Sequence, residues 1–185
     1  MTMFTDTAHI SKDELHHLRH IIGRQANELI LNNRGLELQG GFHVISPKFS
    51  IPVNENNCIH ICNTWKDTPS GWHYGKLNVT LGHLQENYKI ESNILWMKPH
   101  QGVPPIKQVD IFERTIHSNN EHVQYDAAIV FRREDNSAFR FSPENHPLGR
   151  VEFCQLWRDI WDISVQLRRR IMITEDGIDF DPPPA

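Results

Sequence analysis

The sequence predicts an α+β fold in which an antiparallel sheet of several short strands packs against an N-terminal and a C-terminal amphipathic helix. Three observations point there. Apolar residues recur at three- and four-residue steps over 12–33 and again over 150–171. Between these stretches they alternate in short runs broken by Pro, Asn and Gly. The segment His122–Phe141 has the form of a β-hairpin and is the organising element of the chain.

The first helix has its start written in Ser11 and Glu14, a capping box in which each residue satisfies the other's backbone N–H. Leu15, Leu18, Ile22, Ala26, Leu29 and Ile30 form its apolar stripe, and Asn32, Asn33 and Gly35 supply a stop. The stretches LELQGGFHVI, KFSIPV, CIHICNTW and KLNVTLGHL then read as short strands, each bounded by Pro, Asn or Gly. NYKIES and NILWM are less regular. PIKQVDIFERTI fits a helix through Ile106, Val109, Phe112 and Ile116, or a strand through Val109 and Ile111; its lead into the hairpin favours the strand.

Within the hairpin, Val123, Tyr125, Ala127, Ile129 and Phe131 share one face by strict alternation. Phe139 and Phe141 resume the pattern after Glu134, Asp135, Asn136 and Ser137. For these phenylalanines to share a face with Phe131, the loop must hold an odd number of residues, since a one-residue slip turns every side chain over. The second helix, 150–171, carries Phe153, Trp157, Ile160, Trp161, Ser164, Leu167 and Ile171 on one stripe. Arg168, Arg169 and Arg170 then complement its negative C-terminal end. One domain over 1–176 and an acidic, Pro-rich tail over 177–185 complete the reading.

Composition excludes some functions. A net charge of −4 gives no basic excess, so general nucleic-acid binding is not expected. No apolar run reaches the roughly 20 residues that cross a bilayer, and the start MTMFTDTAHISKDEL has no signal-peptide pattern. Three cysteines, an odd and low number, do not make a disulfide scaffold. A soluble, cytoplasmic protein with reduced thiols is expected.

Four constellations bear on chemistry. Cys58, His60 and Cys62 project from one face of a strand, and thiolate and imidazole suit zinc. At ~3.3 Å per residue the two cysteines stand roughly 13 Å apart, so at most His60 and one cysteine share an ion; the alternative is thiols packed as small hydrophobes. His16 and His20, with His17 between them, lie one helical turn apart, but the Glu of a metalloprotease helix is missing and Arg19 opposes a cation. Trp72, His73 and Tyr74 sit in a loop between Gly71 and Gly75, where aromatic rings serve binding or fold back as a plug. His146, oriented by Glu144 or Glu152, is a candidate general base, and Glu113, Arg114 and His117 would share a face if helical.

No phosphate loop, dinucleotide fingerprint or nucleophile elbow is present. The expected function is therefore binding of another protein, as by an adaptor, inhibitor, chaperone or immunity-type protein. The acidic balance favours a basic partner. The alternative is a small-molecule or metal site between sheet and helices, using His60 or His146 with Trp157 or Trp161 as walls, in a binding protein or an enzyme.

Overall fold

Phe131 and Phe139 stack face to face across neighbouring strands, their centroids 4.8 Å apart, at the centre of a core shared by two antiparallel sheets. The computed structural model describes residues 3–31, 38–39, 43–84, 93–96, 102–118, 120–143, 149–156 and 167–182; for 38, 39, 43, 93–96 and 156 only the backbone is described.

In chain order the elements are β1 (Phe4–Ala8), α1 (Lys12–Arg19), β2 (Glu28–Leu31), β3 (Leu38–Gln39), β4 (His43–Ser46), β5 (Lys48–Pro52), β6 (Asn57–Asp67) and β7 (His73–His83). They continue with β8 (Asn93–Trp96), β9 (Ile106–Ser118), β10 (Glu121–Arg133), β11 (Ala138–Pro143), β12 (Val151–Leu156), β13 (Arg168–Ile173) and β14 (Ile178–Phe180). The first sheet runs β14-β13-β9-β10-β11-β12-β4-β3, with β1 added in parallel beside the N-terminal half of β10. The second runs β7-β6-β5-β2-β8.

The α+β expectation is thus overturned. The fold is mostly β, with two antiparallel sheets and, among the described residues, one helix of eight residues. The capping box forms as read: Ser11 N–H donates to Glu14 Oε2 at 2.8 Å and Glu14 N–H to Ser11 Oγ at 3.3 Å. The helix nonetheless stops at Arg19 rather than near residue 33. Gly23 takes φ +77 and its N–H donates to the Ile106 carbonyl, while the Ile106 N–H returns a bond to the Arg24 carbonyl. Those two bonds turn the chain away, and Leu29, Ile30 and Leu31, all buried, become a central strand. A fully buried strand has no alternation to distinguish it from a helical stripe.

Both ends of the predicted C-terminal helix are strands as well. Val151 and Phe153 point into the core from β12, and Ile171 and Ile173 do so from β13. Trp157 and Trp161 lie outside the described residues. The acidic C-terminal segment supplies β14, which pairs with β13 as an edge.

The core is filled from both sides. Phe49, Ile51, Ile59, Ile61, Leu77 and Val79 come from the second sheet, and Val109, Ile111, Ile129, Phe131, Phe139, Phe141 and Phe153 from the first. Phe49 meets Phe141 at 5.2 Å and Phe153 at 6.0 Å between ring centroids. Leu15 and Leu18 of α1 join the same cluster. Glu14 Oε1 accepts the Val79 N–H at 2.8 Å and His17 Nδ1 lies 3.4 Å from the Val79 carbonyl oxygen, so α1 is tied to the margin of β7.

Ion pairs tie β13 to buried carboxylates of β9 and β10 and to the segment after β14. Two bulges flank β9 at the level of Phe112, one at Ala127 and one at Arg170. They aim the arginines differently from a regular ladder. Arg168 binds Glu113 at 2.9 Å, Arg169 binds Asp181 at 2.9 Å, and Arg170 makes two bonds to the fully buried Asp126. The arginines read as helix-end charges are therefore tertiary anchors.

Candidate functional site

The β6–β7 hairpin presents the aromatic loop on a turn that the rest of the fold fixes from beneath. Thr68 N–H donates to the Trp72 carbonyl at 2.9 Å, Gly71 N–H to the Thr68 carbonyl at 3.0 Å, and Gly71 has φ +86, a conformation that costs glycine nothing. Glu121, at the start of β10, reaches into this turn. Its carboxylate accepts Ser70 N–H at 2.7 Å, Ser70 Oγ–H at 2.8 Å and the Trp72 indole N–H. Burial pushes the Glu121 pKa up, but these hydrogen bonds outweigh it and hold the carboxyl below the usual range.

The three loop residues predicted for binding are treated unequally. Tyr74 is buried, packed 5.6 Å from Tyr125 and 5.8 Å from Trp72 between ring centroids. Its hydroxyl donates to Asp6 Oδ2, which also receives Lys66 Nζ at 2.9 Å. Burial raises the Asp6 pKa, but bonds from Tyr74 and Lys66 bring it below the ordinary value. Burial and the same carboxylate push the Tyr74 phenol up. Trp72 is half-buried and packs, like Phe4 and Ile116, against the buried cluster that holds the two tyrosines. His73 alone is exposed.

His73 does not stand alone at the tip. It pairs across the hairpin with exposed Asp67, its Nδ1 2.5 Å from Asp67 Oδ1, and its ring lies 5.0 Å from that of half-buried Trp65. Trp65 and Asp67 were not singled out by the sequence reading. The available signal was pairing: a turn centred on 69–71 places Asp67 opposite His73 and Trp65 diagonally beside it.

Cys58, His60 and Cys62 lie on the face of β6 opposite Ile59 and Ile61, as alternation requires. Both His60 nitrogens are engaged by packing. Nδ1 is 2.7 Å from Ser50 Oγ, and Nε2 presses on Gly82 so closely that a Cβ there would stand 2.5 Å from it. Cys58 Sγ lies 3.5 Å from His60 Nε2 and is itself buried. Burial raises both the Cys58 and Cys62 thiols and lowers His60, in each case favouring the neutral form. Among the described residues no three His, Cys, Asp or Glu side chains gather to hold a metal ion.

His16 on α1 and His20 at its C-cap are exposed, and His17 is turned to Val79. His146 and Glu144 lie outside the described residues. At one end of the two sheets an open groove of about 520 Å³ runs between Gly23–Glu28 and Pro52–Glu55, with Arg24, Gln25, Asn27 and Asn54 in its wall. The alternative expectation set a ligand between sheet and helices; among the described residues the second of those helices is replaced at both ends by strands, and the interior between the two sheets is filled by the phenylalanine cluster. No helix among the described residues is long and apolar enough to cross a membrane. Compared with protein-family models, curated proteins and solved structures, the chain has no significant match.

Proposed function

We propose that this chain is a protein-binding module acting in the cytoplasm, and that its contact surface is the tip of the β6–β7 hairpin around Trp65, Asp67 and His73. The observation that carries this reading is the grip of Glu121 on the turn at Ser70 and Trp72. A turn fixed in advance loses little freedom on association, so its aromatic and charged groups contribute more of their contact energy to affinity. Trp65 offers the large ring that dominates protein interfaces, and the Asp67–His73 pair offers a polar rim. Three cysteines without a disulfide fit a reducing compartment. The net charge of −4 suits a basic partner, whose approach it would speed.

The test places a photoreactive phenylalanine analogue at position 73 of the full chain in its own host, with the same analogue at exposed Thr80 as control. A discrete protein adduct at position 73, absent at position 80 and lost with Trp65→Ala, is the expected result. Persistence of that adduct in the Trp65→Ala protein, or equal labelling at both positions, would reject the hairpin tip as the contact surface.

A further inference from the structure

We propose that His117 and His122 form a binding site for a late first-row divalent ion of the zinc or nickel type, held through their two Nδ1 atoms at the far end of the β9–β10 hairpin. The two residues are direct cross-strand partners. Their Nδ1 atoms stand 3.1 Å apart, and the rings meet nearly edge-on with centroids 4.3 Å apart. His117 is exposed and His122 half-exposed, so an ion reaches both from solvent.

The spacing matches the ion. Imidazole nitrogen binds zinc at about 2.0–2.1 Å, so two such nitrogens on one ion are about 2.9 Å apart at a right angle and about 3.4 Å apart at the tetrahedral angle. The observed separation falls between these limits. Imidazole pairs of this kind suit zinc, copper and nickel rather than magnesium or calcium, which take oxygen ligands.

In the ion-free pair, one Nδ1 carries a proton and donates it to the other. Binding moves that proton: the donor imidazole passes to its Nε2–H tautomer through water, and both Nδ1 lone pairs become available. The neutral pair loses no net proton, and water fills the remaining positions on the ion.

The backbone beneath the pair is already fixed. The β9–β10 ladder continues past it to Ser118 and Glu121, and Asn120 takes φ +62, as a tight hairpin turn requires. Phe4 N–H donates to the Asn120 carbonyl at 3.0 Å, which ties the turn to β1. Glu121, the carboxylate next in sequence, is committed to Ser70 and Trp72 and does not compete for the ion. Ligands held on paired strands need little rearrangement to take up a metal.

Zinc chloride titrated into the full chain at neutral pH, followed by NMR of the histidine rings and by calorimetry, tests the site. The ring signals of His117 and His122 should move together and saturate near one equivalent. His117→Gln or His122→Gln should weaken binding at least about tenfold, since changes to mere outer-shell partners already cost ~10–100-fold. The pair His16→Gln/His20→Gln, at two exposed histidines elsewhere on the surface, should leave it unchanged. Absence of saturable binding, or equal affinity in the His117→Gln/His122→Gln protein, would overturn the proposal.

Discussion

Arg170 reaches across β9 to close a two-point contact with Asp126 on β10, Nε to Oδ1 at 2.8 Å and Nη2 to Oδ2 at 2.6 Å. Asp126 is fully buried and also accepts the Ile10 N–H at 2.6 Å, so one carboxylate joins three parts of the chain. Asp126→Ala leaves a charge in the interior without its partner, and loss of one half of a buried pair costs about 3–5 kcal/mol. Urea denaturation of the variant should show a loss of that size. A loss under about 1 kcal/mol would mean that water reaches Arg170.

Gly82 and His60 should behave as one unit. A methyl group at Gly82 would sit 2.5 Å from His60 Nε2, so Gly82→Ala displaces the ring and breaks its bond to Ser50. Overpacking of this kind costs about 1–3 kcal/mol. The same substitution in a His60→Ala background should cost little, because the obstruction has gone. Thermal denaturation of the four proteins gives the coupling directly, and simple additivity would contradict the contact.

Acid should weaken the attachment of β1 and the hairpin turn. The folded pKa values of Asp6 and Glu121 both lie below their ordinary ones, since hydrogen bonds outweigh burial. The stability this confers is complete above the unfolded values, about 3.9 for Asp and 4.3 for Glu, and is lost as pH falls through the lower folded values. Unfolding free energy measured from pH 6 to pH 2.5 should therefore drop less steeply below about pH 4 in Asp6→Asn/Glu121→Gln than in the parent protein. Parallel curves would show that neither carboxylate is linked to folding.

The thiols should be slow to react. Cys58 and Cys154 are buried, Cys62 is half-buried, and burial raises the pKa of all three. Thiolate is the reactive form. A thiol reagent at neutral pH should therefore label Cys62 first, with Cys58 and Cys154 reacting only after denaturation. Mass-mapped labelling that finds Cys58 modified first in the native protein would contradict its burial.

The hairpin was legible in the sequence because everything that sets it is local. Arg132 pairs with Ala138 and Phe131 with Phe139, which encloses the odd number of loop residues that the phenylalanine faces demand. Asn136, at φ +64, supplies the left-handed residue of the turn. The stretch 105–117, which the sequence leaves between helix and strand with a lean to strand, forms β9 and leads directly into β10 of that hairpin.

Where the reading failed, the deciding partner lay far along the chain. The bonds that end α1 and turn Gly23 come from Ile106, and the buried run Leu29–Leu31 is a strand because β5 and β8 flank it. Arg168 and Arg170 look like helix-end charges until Glu113 and Asp126 are beside them. At the hairpin tip the aromatic cluster was visible, but its division into buried Tyr74, half-buried Trp72 and exposed His73 depends on Asp6 and Glu121. No periodicity in residues 68–75 encodes those two.

The contact of α1 with Val79 has a consequence beyond cohesion. Glu14 takes the amide and His17 the carbonyl that a neighbouring strand would otherwise use, yet the helix offers no free ladder of its own. Growth of the second sheet stops at that margin. Truncating both side chains would leave a short template open to any chain of matching pattern, above all to another copy of this one. The damage would then show as a ribbon that lengthens with protein concentration rather than as a molecule that melts sooner.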